Sequence, residues 1–319
     1  MTGASVAVRS ASAGAPRSAP PIRRVKHTRD RLVSLAFVLP SFLLFVVFVV
    51  YPIVYNFQAS TLRWDGVNAG TFVGLGNYRQ MLSDPIFHIT LKNSKLWIPL
   101  TIIPQAVIGF LLAMALDTKL RGRSFYRAVF FIPAVLSPVV VGIVWQRILD
   151  PFNGVLAQFD QATGTSPAAP YLSDPKTAIF AVMVVNIWMW TGFSMLFYLA
   201  GLQLLDRSLI DAARLDGANL LQIIWQIILP LLRPTHLSLL LLGIIGSLKT
   251  FELVYILTEG GPNHASEMLP TYAFQQAFRL QSVGYASTIS VTLLVIAMVS
   301  SLLMVRVFGS GVLTGSERK

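Results

Sequence analysis

The sequence predicts an all-α polytopic membrane protein with six transmembrane helices and both termini inside. Three observations carry that prediction. Of 319 residues, 54% are hydrophobic and only 12% charged, with a mean hydropathy of +0.65, whereas a water-soluble domain carries about twice that share of charge. The apolar residues gather into spans of ~20 residues or more, the length that crosses ~30 Å of hydrocarbon. The whole net charge of +11 falls on one side of those spans, as the preference of basic loops for the cytoplasm requires.

Residues 1–31 are rich in Ser, Ala, Pro and Arg and show no apolar period, which predicts a disordered, basic cytoplasmic tail. The cluster Arg23-Arg24-Val25-Lys26 stands before a long span rather than a short apolar region with a cleavage site, so the first helix reads as uncleaved. The spans are 32–59, 89–116, 125–148, 177–204, 235–257 and 286–308. They make one transmembrane domain over 32–308, followed by a cytoplasmic tail over 309–319. Pro40, Pro52, Pro99, Pro104, Pro133 and Pro138 predict kinks, which membrane helices tolerate when neighbours satisfy the freed carbonyls. Trp64, Trp97, Trp145, Tyr51 and Tyr55 lie near span ends and predict interfacial anchors.

The segments assigned to the inside (the tail, 117–127, 206–233 and Arg306 onward) hold seventeen basic and six acidic residues. The remaining eight basic and eight acidic residues cancel. The outer loops are then 60–88, 149–176 and 258–285. The inner loops are the short Asp117–Ser124 and the long 206–234.

Composition also excludes chemistry. Without cysteine there is no disulfide and no thiolate. His27, His88, His236 and His264 are scattered, without the paired spacing of a metal site. A pI near 10.2 is accounted for by membrane orientation, so no nucleic acid is expected. There is no phosphate loop of the form G-x-x-x-x-G-K-[ST] for ATP. Gly192-Phe193-Ser194 lacks the closing glycine of a serine nucleophile turn. The chain is expected not to be an enzyme, and to hold no cofactor.

In the long inner loop, Ile210, Ala213, Gly217 and Leu221 recur at three and four, so they are predicted on one helix face. Ala212, Ala213, Gly217 and Ala218 are small, Asp206 can cap the helix start, and Gly217 can end it. A second apolar helix, Leu220–Leu229, leads to Pro230 and Pro234. Periodicity alone leaves two readings open: an amphipathic helix lying on the inner leaflet, or one that another protein grips.

Asp211-Ala212-Ala213-x-x-Asp216-Gly217-Ala218, followed by Ile228-Leu229-Pro230, resembles the EAA loop of ABC importer permeases, with Asp211 where that family usually has Glu and Trp225 where Phe is common. Phe72-Val73-Gly74-Leu75-Gly76-Asn77-Tyr78 resembles the family's first external segment, and Arg121-Gly122-Arg123-Ser124-Phe125-Tyr126-Arg127 its approach to the third span. Phe251 through Gly260-Gly261-Pro262, then Gly284-Tyr285-Ala286, resembles the end of the fifth span and the start of the sixth. Together these resemble the carbohydrate-type, MalF/UgpA-like branch over about 32–308.

The resemblance implies a type I importer permease fold whose coupling helix docks on a cytoplasmic ATPase through Ile210, Asp211, Ala212, Ala213, Asp216, Gly217 and Ala218. It implies a second permease subunit, two ATPase subunits carrying ATP and Mg, an extracytoplasmic solute-binding protein and surrounding lipid, in a bacterial cytoplasmic membrane. A sugar path needs hydrogen-bonding groups and flat aromatic faces. The matching positions are Asn186, Trp190, Phe193 and Ser194 in the fourth span, and Gly243, Gly246, Ser247 and Thr250 in the fifth. For Trp190 and Phe193 the competing reading is packing between helices, and for Asn186, Ser247 and Thr250 a polar bond across helices; Gly243 and Gly246 offer no side chain. Gly260, Gly261 and Pro262 form either a plain external turn or a contact for the solute-binding protein. The competing function is an ion-gradient-driven transporter or channel, which would favour intramembrane carboxylates. Glu252 is the one such acid, with Lys249 spaced to pair with it.

Overall fold

The computed structural model describes residues 27–118, 121–163 and 170–313. Most of the expected N-terminal tail, and the C-terminal tail beyond Leu313, lie outside these residues. The chain divides into two units, residues 1–52 and 53–319. In the first, α1 (His27–Phe45) leads into a π-helical turn at Val46–Val50. Residues 27–31, expected within the disordered tail, are already helical. They contain neither proline nor glycine and run straight into an apolar helix, so nothing stops the helix from starting there.

Next come α2 (Tyr51–Ser60) and a short antiparallel hairpin of β1 (Leu62–Arg63) and β2 (Thr71–Phe72), with Leu62 opposite Phe72. After α3 (Gly76–Ser83), Asp84 caps α4 (Pro85–Leu116) by accepting from the Ile86 N–H at 2.8 Å, with Pro85 in the first turn where its missing N–H costs nothing. Then follow α5 (Arg123–Val135), α6 (Pro138–Ile148), α7 (Val155–Thr163) and α8 (Ala178–Gln203). The inner loop folds as α9 (Arg207–Leu215), α10 (Leu220–Ile223), a π turn at Ile224–Ile228 and α11 (Leu229–Leu231). The chain finishes with α12 (Arg233–Leu248), α13 (Glu252–Thr258), α14 (Leu269–Phe274), a third π turn at Gln275–Arg279 and α15 (Val283–Leu313).

Among the described residues, four helices are long and apolar enough to cross a membrane: Leu35–Ser60, Pro85–Leu116, Ala178–Gln203 and Val283–Arg306. The number rises to six if each of two bent pairs counts as one span, α5 with α6 (96°) and Leu220–Leu231 with α12 (65°).

The prolines act differently from one another. Pro99 and Pro104 leave α4 unbroken, whereas Pro133 and Pro138 flank the sharp bend at Leu136-Ser137. The first two π turns each end two residues before a proline, Pro52 and Pro230. One extra residue in the turn relieves the clash of the proline ring with the carbonyl one turn back. The expected fifth span is interrupted, because Lys249–Phe251 is not helical. Trp97, expected at the interface, is 1% exposed inside the core with Val182, Met189 and Val254.

Helices in lipid associate through close packing rather than the hydrophobic effect, and glycines set the contacts here. A Cβ on Gly109 of α4 would stand 2.7 Å from Cβ of Ser194 on α8. One on Gly192 would run into the Phe130 carbonyl of α5, and one on Gly142 of α6 would press on Ile256 of α13. The α4–α8 pair is therefore the frame on which α5, α12 and α13 are hung.

Candidate functional site

A cavity of about 320 Å³ opens between α4, α8, α12 and the break before α13. All eight residues expected to line a path meet there: Asn186, Trp190, Phe193 and Ser194 from α8, Gly243, Gly246 and Ser247 from α12, and Thr250 from the break. Asn186, Trp190, Phe193 and Ser194 recur at helical spacing, so one stripe of α8 faces inward. The opposite wall is a second stripe, Trp97, Thr101 and Gln105 of α4, which the sequence reading missed although the residues are four apart. Gln105 Nε2 donates to Asn186 Oδ1 at 2.9 Å, so the amide of Asn186 is held between helices as well as presented to the cavity.

Trp190 meets Phe193 edge-on at 5.9 Å, and Phe193 leans on Phe197 at 4.7 Å. The two glycines differ: a Cβ on Gly243 would lie 2.9 Å from Ile102, while one on Gly246 meets nothing within 4 Å and would point into open space. Lys249 and Glu252 also line the cavity, but the expected ion pair between them is not among those formed by the described residues. The helix breaks between the two, so a three-residue spacing no longer puts them on one face.

At the inner loop, Asp206 caps α9 by accepting from the Ser208 N–H at 2.9 Å, and that backbone bond together with the Ser208 hydroxyl holds its carboxyl below the usual range. The helix ends at Leu215. Gly217 follows at φ +85°, and Ala218 N–H reaches back to Ala213 O at 2.9 Å, a left-handed C-terminal cap that favours glycine. Because the helix stops before Gly217, the single face predicted for Ile210, Ala213, Gly217 and Leu221 is split. Ile210, Ala213 and Ala218 pack inward against the cluster of Phe110, Met195, Tyr198 and Leu232, while Asp211, Ala212, Asp216, Gly217 and Leu221 are exposed. Two polar tethers join this segment to the frame. Arg207 pairs with Asp117 at the end of α4 at 2.6 Å. His236 lies 3.1 Å from Leu229 O through Nε2 and 2.8 Å from the Tyr198 hydroxyl of α8 through Nδ1, so its Nε2–H donates and Nδ1 accepts.

Residues 105–310, which contain most of the cavity and all of α9, match the model for the binding-protein-dependent transport system inner membrane component. The chain belongs to that family. A relative from Bacillus subtilis, the arabinooligosaccharides transport system permease protein AraP, is 33% identical over 279 residues, covering 86% of this chain and 88% of AraP. The sn-glycerol-3-phosphate transport system permease protein UgpA of Agrobacterium fabrum is 31% identical over 269 residues, covering 84% and 91%. Among solved structures, a chain of a bacterial alginate ABC transporter, crystallised with an alginate pentasaccharide-bound periplasmic protein, superposes with a TM-score of 0.77. It covers 88% of this chain and 96% of its own at 22% identity, and it shares the fold.

The remaining predicted segment of the permease, Gly260-Gly261-Pro262, is not a plain turn. It wraps a buried acid that the sequence reading passed over. Glu267 is fully buried and accepts from Thr271 Oγ1 at 2.5 Å, and its other oxygen lies 2.9 Å from both His264 Nδ1 and Gln275 Nε2. Gly260, at φ +84°, must lack a side chain because a Cβ would collide with the Glu267 carboxylate. Asn93 of α4 anchors the loop by donating to the carbonyls of Ala265 and Glu267 at 3.0 and 2.9 Å. Pro262 and Gly261 sit on the rim of an open groove shared with Gln146 and Asp150.

Proposed function

We propose that this permease forms half of the translocation path of an ABC importer for a saccharide or saccharide derivative. In this reading it spans the bacterial cytoplasmic membrane six times, N-terminus and C-terminus inside. It works with a second permease subunit, two ATPase subunits that hold ATP and Mg and carry out hydrolysis, and an extracytoplasmic solute-binding protein. The observation that carries the reading is the cavity. Its walls pair aromatic faces (Trp190, Phe193) with amide and hydroxyl groups (Gln105, Asn186, Ser194, Ser247, Thr250), the combination that recognises the apolar faces and hydroxyl edges of sugar rings. The saccharide and glycerol-phosphate systems named for AraP and UgpA support the same substrate class.

Coupling runs through α9. Asp211, Ala212, Asp216 and Gly217 face outward for an ATPase, while Ile210, Ala213 and Ala218 are seated on the inner ends of the frame helices. Nucleotide acts only if the ATPase grips α9 differently in its two states. Its movement then reaches α4 and α8, which wall the cavity. Gly260, Gly261 and Pro262 lie on the side met by the solute-binding protein.

The test is purification of the tagged chain from its native membrane, followed by reconstitution. An ATPase and a second permease should co-purify, and solute-binding protein loaded with saccharide should stimulate ATP hydrolysis. Purification of this chain without either partner overturns the reading.

A further inference from the structure

A second pocket, of about 380 Å³, lies away from the central cavity between the β1–β2 hairpin, α3 and residues 281–285. Its size falls in the range of small-molecule sites. Its frame is fixed by internal bonds. Asp65 accepts from the Val67 and Asn68 amides at 3.0 and 2.8 Å, and Trp64 Nε1 donates to Asn68 O at 2.7 Å. Gly284 N–H donates to Trp64 O at 3.0 Å, and a Cβ on Gly284 would run into Leu62 O. A pocket held this way loses little entropy when it is filled.

What the frame leaves unused points to the ligand. Asn77 is 5% exposed, and its Nδ2 donates to both Ser60 O and Leu62 O at 2.9 and 2.8 Å, which fixes the amide. Its Oδ1 has no partner among the described residues, and Asn77 lines the pocket. It is a fixed acceptor open to the pocket. Around it stand the side chains of Arg63, Gln80 and Gln281, which make no hydrogen bond or ion pair among the described residues, and the ring of Trp64. Aromatic face, fixed acceptor, fixed-charge donor and two amides in one pocket suit a ligand whose groups both donate and accept around an apolar ring face.

We propose that this pocket is a saccharide subsite, taking one pyranose-sized unit on the outer side of the permease before it reaches the central cavity. The proposal rests on the saccharide class and the orientation given above. The test uses the assembled transporter in lipid nanodiscs without nucleotide, read by saturation-transfer NMR with methyl α-D-glucopyranoside, methyl β-D-xylopyranoside and maltotriose. At least one of these should receive saturation from the protein and keep doing so in Trp190→Ala, which disables the central cavity. That remaining signal should correspond to binding about tenfold weaker in Arg63→Ala/Gln80→Ala, as expected for losing a hydrogen bond to a charged group.

Absence of any contact beyond what Trp190→Ala removes overturns the proposal, as does a signal indifferent to the double variant. So does a double variant that weakens only capture of the solute-binding protein, which would make the pocket a protein contact. Failure of the central-path reading registers separately, as uptake that survives obstruction of the central cavity.

Discussion

Gly246 is the residue at which the cavity is most open to intrusion. Since a Cβ there meets nothing within 4 Å, Gly246→Trp should block uptake while leaving expression and co-purification with partners unchanged. An uptake rate equal to wild type would remove the cavity from the path. Asp84 makes a different point. Burial alone would raise its carboxyl pKa, but hydrogen bonds from the Tyr272 and Tyr285 hydroxyls, at 2.5 and 2.6 Å, and from the Ile86 and Phe87 amides outweigh it and hold the value below 3.8. A depressed native pKa means the carboxylate stabilises the fold fully above its unfolded value and loses that contribution as pH falls through the native one. Thermal unfolding of Asp84→Asn in detergent should therefore sit below wild type at neutral pH, and the gap should close as pH falls below the ordinary carboxylate range. At this scale the sequence was legible where a residue repeated with its helix, as in the stripe from Asn186 to Ser194. Asn77 and Glu267 were not legible, because each looks like an ordinary loop polar residue until the partners on other segments are known.

For the elements, α9 is the informative case. Gly217 touches nothing that a side chain would strike, yet its φ of +85° costs a β-branched residue about 1–2 kcal/mol. Gly217→Val should thus relax the cap and let ATP hydrolysis continue while uptake falls. Parallel loss of both activities would point to misassembly instead. Arg207→Ala should cost under about 1 kcal/mol of stability, since the Arg207 side chain is 60% exposed. It should nonetheless raise the ATP consumed per solute by loosening α9 from α4. The start and end of α9 could be read from Asp206 and Gly217, which act locally. The break at Lys249-Thr250-Phe251 could not, because no proline or glycine lies within it.

For the whole molecule, charge alone gives an expected orientation with both termini inside, and the absence of cysteine makes it testable with single substitutions. Val67 is 86% exposed in the hairpin and Leu215 is 89% exposed at the end of α9. An impermeant thiol reagent added to intact cells should label Val67→Cys and spare Leu215→Cys, and the reverse pattern would invert the topology. The presence of apolar spans was readable because most of them are apolar on every side, but whether the described residues make four spans or six turns on two bends that composition does not show. The same apolarity hid the α4 stripe, since a helix apolar on every side gives no sign of which face meets a cavity.

The two broken helices have a joint mechanical consequence. α6 is cut from α5 by the bend at Leu136-Ser137, α13 is cut from α12 at Lys249–Phe251, and the bare backbone of Gly142 seats α6 directly on Ile256 of α13. Two short rods, each cut from the rest of its own span and seated on the other, are expected to move together rather than separately. Tying position 142 to position 256 with a thiol cross-link should therefore leave uptake running. Arrest by that cross-link would mean that the rods must slide past each other.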